Sequence, residues 1–212
     1  MIKKSFVVLL AAFLSCTMHA QTAQQLLAEM PDTLVPVLTR NNRLDCIDFI
    51  NNRMTAVVEN ALGGRSQLLE LTVDHAKLKL TDVSGLELMR MSLTDTTYVV
   101  CVVHAYSAPA TESEMAFYST DWQPLAVEDF WSWPEAETCW LTSDTCDVTK
   151  VEKAKELLDV PMWEMRLLPK THELELAVSL SGLSDEDRAQ VKPYLCAPFR
   201  YGWRQGRWQR IL

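Results

Sequence analysis

Apolar positions recur along this chain with two periods, and the chain switches between them several times. Leu26, Leu27 and Met30 share one helical face. Thr22-x-x-Gln25 precedes them as a capping box, and Pro31 ends the segment. Asp32 opens a short second piece through Leu38, with Pro36 tolerated in its first turn. Asn42 is predicted to open a stronger helix. Leu44, Ile47, Ile50 and Met54 repeat there, with Asp45, Asp48, Asn51 and Asn52 mostly off that face. The period then becomes two. Leu69, Leu71 and Val73 alternate. Over residues 75–81, Ala76, Leu78 and Leu80 point inward, and His75, Lys77, Lys79 and Thr81 outward. Such alternation predicts antiparallel strands with one wet face. Residues 85–93 read as a strand whose phase switches between Leu88 and Met89, which predicts a bulge. Residues 98–103 are continuously apolar and predict a central strand covered on both sides. Residues 114–120 add another strand.

The second half follows the same grammar. Residues 121–149 are irregular and rich in tryptophan. Thr149-x-x-Glu152 predicts a helix start, with Val151, Ala154, Leu157 and Leu158 on the core face and Pro161 beyond it. Trp163, Met165 and Leu167, then Leu174, Leu176, Val178 and Leu180, alternate with polar positions and predict a hairpin. Ser184 opens a last helix, with Asp185, Glu186 and Asp187 where the helix dipole favours them. Residues 199–211 close the chain as a second hairpin. No internal repeat or linker divides these elements. They predict an α+β fold: a mostly antiparallel sheet with helices on one face, in a single domain over residues 21–212.

The first 20 residues stand apart. Lys3 and Lys4 precede an apolar run, residues 6–14, and small residues lead to Ala20-Gln21. This reads as a removable export signal, too short to span a membrane. The rival processing is a lipoprotein box ending at Cys16, which would then carry a lipid tether. No later segment is apolar for long enough to cross a membrane. Export places the protein in the periplasm or on the outer cell surface.

Composition changes this picture only once charge is located. The chain carries a net charge of −8, which becomes −10 when Lys3 and Lys4 leave with the signal. That balance excludes a generic nucleic-acid binder. It is uneven, however. Residues 21–187 carry −16, and the last 25 carry +6, from Arg188, Lys192, Arg200, Arg204, Arg207 and Arg210. A Gln205-Gly206 turn would place Trp203 opposite Trp208 and Arg204 opposite Arg207. These four residues are the candidate binding site, a basic-aromatic surface for an envelope glycan or an envelope protein. The competing reading puts the aromatics in the core and pairs the arginines with acidic neighbours. The regular alternation of Phe199, Tyr201 and Trp203 favours it.

Five cysteines follow the signal: Cys46, Cys101, Cys139, Cys146 and Cys196. Cys139 and Cys146 bracket a short loop and form the candidate disulfide. Cys101 sits in the apolar strand and reads as a buried hydrophobe. It cannot pair with His104, which alternation turns to the opposite face. His75 and His172 are expected at strand edges or turns. Trp122, Trp131, Trp133 and Trp140 could form a sugar-stacking platform, but core packing is the simpler use of large aromatics. The sequence has no nucleophile elbow, zinc-protease motif, phosphate loop or dinucleotide fingerprint. No catalytic residue, metal site or cofactor is therefore assigned.

Several short stretches together resemble a known group. These are Met30-Pro31-Asp32, Leu62-Gly63-Gly64, the strand from Val99 to Val103 leading to Ala108-Pro109-Ala110, and Phe117-Tyr118-Ser119-Thr120-Asp121-Trp122-Gln123-Pro124-Leu125. The chain resembles an uncharacterised family of exported Bacteroidales proteins, a domain of unknown function. The resemblance implies a periplasmic or outer-surface protein of a Gram-negative anaerobe and carries over no catalytic residues. The expectation is a non-enzymatic binding or interaction module of the cell envelope. The alternatives are a hydrolase or inhibitor-like factor acting on envelope polymers, with carboxylates near residues 122–140, and a lipidated structural scaffold.

Overall fold

A computed structural model describes residues 21–141 and 147–211. The chain opens with α1 (Ala23–Glu29) and α2 (Arg40–Asn51). Seven strands follow: β1 (Val57–Glu59), β2 (Arg65–Leu71), β3 (His75–Lys79), β4 (Ser84–Ser92), β5 (Tyr98–Ser107), β6 (Thr111–Ser119) and β7 (Pro124–Leu125). They form one antiparallel sheet whose strand order is the chain order. After α3 (Val148–Leu157) come β8 (Trp163–Leu168), β9 (Glu173–Val178), α4 (Asp185–Val191), β10 (Phe199–Arg204) and β11 (Arg207–Ile211). These four strands make a second antiparallel sheet, ordered β11-β10-β9-β8. The class is α+β, as the sequence predicts. The strands divide between two sheets.

The capping box of α1 is formed: the Thr22 N–H donates to Gln25 Oε1 at 2.8 Å, and the Gln25 N–H donates to Thr22 Oγ1 at 3.3 Å. α2 begins earlier than Asn42. Thr39 is its N-cap and accepts the Asn42 N–H at 3.4 Å. Its inward face is also rotated from the expected one. Arg43, Cys46 and Ile47 are buried, with Ile50 packed beside them, while Leu44 and Met54 are exposed. The buried positions keep the i, i+3, i+4, i+7 spacing, but an arginine starts the series, so counting apolar residues alone misplaces it. Likewise α3 is capped by Asp147, which accepts the Thr149 N–H at 3.1 Å, rather than by Thr149.

Two cores lie on the two faces of the first sheet. On one face Leu78, Leu80, Leu86, Leu88, Val100 and Val102 pack under α1 and α2. On the other, Met89, Met91, Val99, Cys101, Val103 and Phe117 meet Met165, Leu167, Leu174, Leu176, Phe199 and Tyr201 of the second sheet. β5 is thus covered on both sides, as its unbroken apolar run predicts. The phase switch in β4 has the same cause. Its register with β5 runs unbroken from Ser84↔Tyr106 to Ser92↔Tyr98, with no bulge. Leu86 and Leu88 serve the helix-side core, and Met89 and Met91 serve the core between the sheets. The irregularity lies instead in β2, where the register shifts between Leu68 and Glu70 and leaves Leu69 exposed.

The second face of the first sheet is therefore only partly wet. Ala76 and Leu78 point to the helices as expected. His75, however, is buried rather than placed at an exposed edge. It lies 3.6 Å from Glu87 and 3.9 Å from Glu70. The β8–β9 turn reaches over this end of the sheet and brings His172 within 4.0 Å of Asp74.

The second sheet meets the first through an edge. β8 is an outer strand, and an open edge offers N–H groups to any passing strand. Two of these donors end on side chains of the first sheet. The Met165 N–H donates to Ser113 Oγ at 3.0 Å, and the Leu167 N–H donates to Glu87 Oε2 at 2.9 Å.

The tryptophan-rich segment finishes the packing. Trp122 closes the helix-side core, Phe130 and Trp131 enter the core between the sheets, and Trp140 joins Cys139, Ala154, Leu158 and Val191 in a third cluster under α3 and α4. Trp133 alone of the four is exposed. A stacking platform would need the other three at the surface, so core packing explains the segment.

Candidate functional site

The C-terminal hairpin has the register the sequence predicts: Trp203↔Trp208 and Arg204↔Arg207. Gln205 (φ 52°) and Gly206 (φ 76°) both take left-handed backbone, as a two-residue turn between twisted strands requires. Directly opposed residues share a face. Phe199, Tyr201 and Trp208 are buried between the sheets, with Trp203 packed against them. The Trp203 indole N–H donates to the Ser92 carbonyl at 2.6 Å. Trp203 and Trp208 stack edge to face, 5.2 Å between ring centroids. Of the four candidate residues, Trp208 is thus a core residue, 4% exposed, and Trp203 is held at the rim. Arg204 and Arg207 remain on the surface.

The outer face of this sheet is a charge ladder. On β8, Arg166 pairs with Glu164 at 2.7 Å. Arg200 on β10 reaches both carboxylates of β9, Glu173 at 3.3 Å and Glu175 at 2.8 Å. This part of the basic tail neutralises the acidic strand beside it. The ladder ends at the hairpin tip. The Arg207 guanidinium donates to Ser132 Oγ at 3.2 Å, and neither Arg204 nor Arg207 forms an ion pair among the described residues. Two like charges opposite each other cost a few tenths of a kcal/mol, on the order of a typical cross-strand pair.

A second polar feature is a cleft of about 290 Å³ beside β3, β4 and β8, lined by Lys77, Lys79, Ser84, Glu87, Glu164 and Arg166 among others. It holds three carboxylates, Asp82, Glu87 and Glu164, and all are engaged: Asp82 with Lys79 at 2.6 Å and Glu164 with Arg166 at 2.7 Å. Glu87 binds Lys77 at 2.7 Å and the Leu167 N–H. Burial pushes the Glu87 carboxyl up, but the neighbouring His75 ring, the Lys77 hydrogen bond and charge, and the Leu167 N–H outweigh it and hold the group below its usual range. A carboxylate held ionised suits an ion pair better than proton donation at neutral pH. Sequence reasoning missed Glu87 because its neighbours come from β3 and β8, at separations no local pattern encodes.

Two of the thiols are muted. Burial pushes Cys101 up to about 12 and Cys139 up to about 11. Cys101 faces the core between the sheets while Val100 and Val102 face the helices, so the strand does turn Cys101 and His104 to opposite sides. Cys139 lies against Cys196, whose N–H donates to the Cys139 carbonyl at 2.7 Å. Cys146 and Cys16 fall outside the described residues. Among the described residues there is no cluster of three metal-ligating side chains and no helix long and apolar enough to cross a membrane.

Comparison with known proteins agrees with this architecture. Residues 15–208 match the model of a family described as "Protein of unknown function (DUF3256)", and the chain belongs to that family. A solved structure, a domain of an uncharacterised protein from Porphyromonas gingivalis W83, superposes with a TM-score of 0.74 at 22% identity. The match covers 89% of this chain and 97% of that one. At that identity it establishes the shared fold. No curated protein matches the chain.

Proposed function

We propose that the protein is an exported, non-enzymatic binding module of a Gram-negative cell envelope, and that Arg204 and Arg207 engage an anionic group of an envelope glycan. One observation carries this reading. The charge ladder on the outer face of the second sheet is internally paired up to its last rung, and there two exposed guanidiniums face each other. An anion bridging them would relieve the repulsion and accept bidentate hydrogen bonds from each. Trp203 and Trp208 fix the rung from beneath by packing rather than by contact with the ligand. The signal-like residues 1–20 support export. A lipid on Cys16 would add a tether without altering this surface.

Retention on purified envelope membranes tests the proposal. Arg204→Ser with Arg207→Ser should abolish retention and leave the unfolding midpoint unchanged or slightly raised. Retention by the native protein should weaken with salt. Full retention of the folded double variant rejects the assignment.

A further inference from the structure

The region between α3, α4 and β10 holds two thiols on neighbouring backbone segments. Trp140 and Leu195 form an isolated antiparallel bridge. The Cys196 N–H donates to the Cys139 carbonyl at 2.7 Å on one side of it, and the Leu141 N–H to the Tyr194 carbonyl at 2.8 Å on the other. Cys139, the last residue of a short 3-10 turn (Ala136–Cys139), is therefore a direct neighbour of Cys196 across the two segments, joined to it by a backbone hydrogen bond. Backbone segments bonded in this way lie roughly 5 Å apart. A disulfide needs a Cα separation of roughly 4.4–6.8 Å. Both residues also line one apolar cleft of about 280 Å³ with Trp163, Leu180 and Phe199.

We propose that Cys139 and Cys196 are the protein's disulfide-forming pair, taking a small disulfide oxidant or a disulfide-exchange enzyme as co-reactant. The roles of the two sulfurs differ. Cys139 is buried and its thiol is held protonated by that burial. Cys196 is partly exposed, and its thiol donates to the Trp140 carbonyl at 3.5 Å. Cys196 loses its proton and attacks one sulfur of the oxidant. That forms a mixed disulfide and releases one thiolate. Cys139 then loses its proton and attacks the Cys196 sulfur, closing the intramolecular bond and releasing the second thiolate. Two protein thiols are oxidised, and one oxidant disulfide is reduced to two thiols. The bond would tie the tryptophan-rich segment to the lead-in of β10, closing a loop 57 residues apart in sequence. It would leave Cys146 without this partner, the pairing that sequence spacing suggests being the competing one.

Peptide mapping without reduction tests the pairing, after the protein has been exposed to oxidised glutathione and its remaining thiols alkylated. The expected result is a linked peptide pair containing Cys139 and Cys196, with Cys146 alkylated. Cys146→Ser should keep the link, and Cys196→Ser should lose it. Reduction should lower the thermal midpoint of the native protein by roughly 5–15 °C, the shift expected for opening a loop of this size. It should leave that of Cys196→Ser unchanged. A Cys139–Cys146 peptide, or alkylation of both Cys139 and Cys196 after oxidant treatment, overturns the proposal.

Discussion

Glu87 on β4 and Leu167 on β8 are joined across the two sheets: one Glu87 oxygen accepts the Leu167 N–H at 2.9 Å while the other holds Lys77 at 2.7 Å. A single carboxylate thus closes part of a strand edge and neutralises a lysine. Replacing it by alanine would strand a backbone donor and leave Lys77 without its partner. Glu87→Ala should cost about 2–4 kcal/mol, within the range for losing a buried charged acceptor. Glu87→Gln keeps an acceptor for Leu167 and should cost about half as much. Urea unfolding of the two variants decides the matter. A cost for Glu87→Ala below about 0.5 kcal/mol, the level of a surface substitution, would show the edge to be satisfied by water instead.

The same carboxylate gives the fold an acid-sensitive contact. Its ordinary value of 4.5 is lowered in the folded protein. Below that ordinary value the unfolded chain takes up the proton first, so stability rises with pH in this window. The contribution is fully present above the ordinary value and is lost as pH falls through the lowered, folded one. The stability difference between the native protein and Glu87→Gln should therefore be constant near neutrality and shrink under acid. Denaturant midpoints measured from roughly pH 3 to 7 test this, since linkage confines the effect to the acidic part of that range. A difference that grows as pH falls would reverse the sign and exclude the mechanism.

Arg43 is the most deeply buried charge in the described residues, with 0% exposure. Its guanidinium donates to the carbonyls of Leu27 at 2.9 Å and Leu38 at 2.6 Å, to that of Met30, and to Asp32 Oδ1 at 2.9 Å. These groups lie at the end of α1 and along the segment leading into α2, where a helix leaves carbonyls without internal partners. Arg43→Met fills a similar volume but orphans them, and should cost about 2–4 kcal/mol, from buried carbonyls left without a donor. Arg43→Lys retains a charge without the planar fork and should fall between. Thermal and urea midpoints separate the three proteins. Equal stability of the native protein and Arg43→Met would mean that the carbonyls have other partners.

Arg43 also shows where the sequence stops being legible. The caps of α1 and α4, the β5 run, both late hairpins and the Trp203↔Trp208 register follow from local pattern, because each depends on residues a few positions apart. The rotation of α2 does not, since a polar residue occupies a core position that only contacts from α1 define. The phase switch in β4 reads locally as a bulge; a sheet on each face explains it without one. His75 looks like a wet-face residue, but it lies opposite Met89 on the face the second sheet covers, and is buried beside Glu87. The hairpin arginines are visible as a pair, but the carboxylates that leave them unpaired by engaging Arg200 lie on β9. The proximity of Cys196 to Cys139 has no sequence signal at all, because nothing local brings the two segments together.

The turn that aligns Arg204 with Arg207 can be tuned independently of either. Gln205 holds φ 52°, a conformation asparagine tolerates better than glutamine. Gln205→Asn should stabilise the protein by about 0.5 kcal/mol, in keeping with the Asn-Gly preference of such turns. Gly206 holds φ 76°, and an added Cβ would lie 3.2 Å from the Leu93 side chain. Gly206→Ala should cost about 1–2 kcal/mol through backbone strain. Both effects should appear in the unfolding midpoint. Opposite signs, with alanine stabilising and asparagine not, would contradict the turn geometry.

Stability and binding should part company at Arg204. Glutamate there would face Arg207 directly, converting a like-charge rung into an opposite-charge one, and the Arg207–Ser132 contact would remain available. Arg204→Glu should raise stability by about 0.5–1 kcal/mol, the difference between repulsive and attractive cross-strand pairs. It should also remove retention on envelope membranes, because the bridging anion is replaced by an internal one. A purely structural role for the hairpin predicts the stability gain with retention unchanged. A variant that is both more stable and unable to bind is the outcome a binding rung requires, since a residue kept only for the fold has no reason to be the less stable choice. Raising the salt concentration should shrink both the stability gain and the native protein's retention, the pair being exposed and screened. Arg204→Lys separates charge from shape, because it keeps the positive charge and removes the planar fork. Retention lost in Arg204→Lys even at low salt would point to guanidinium geometry rather than charge alone.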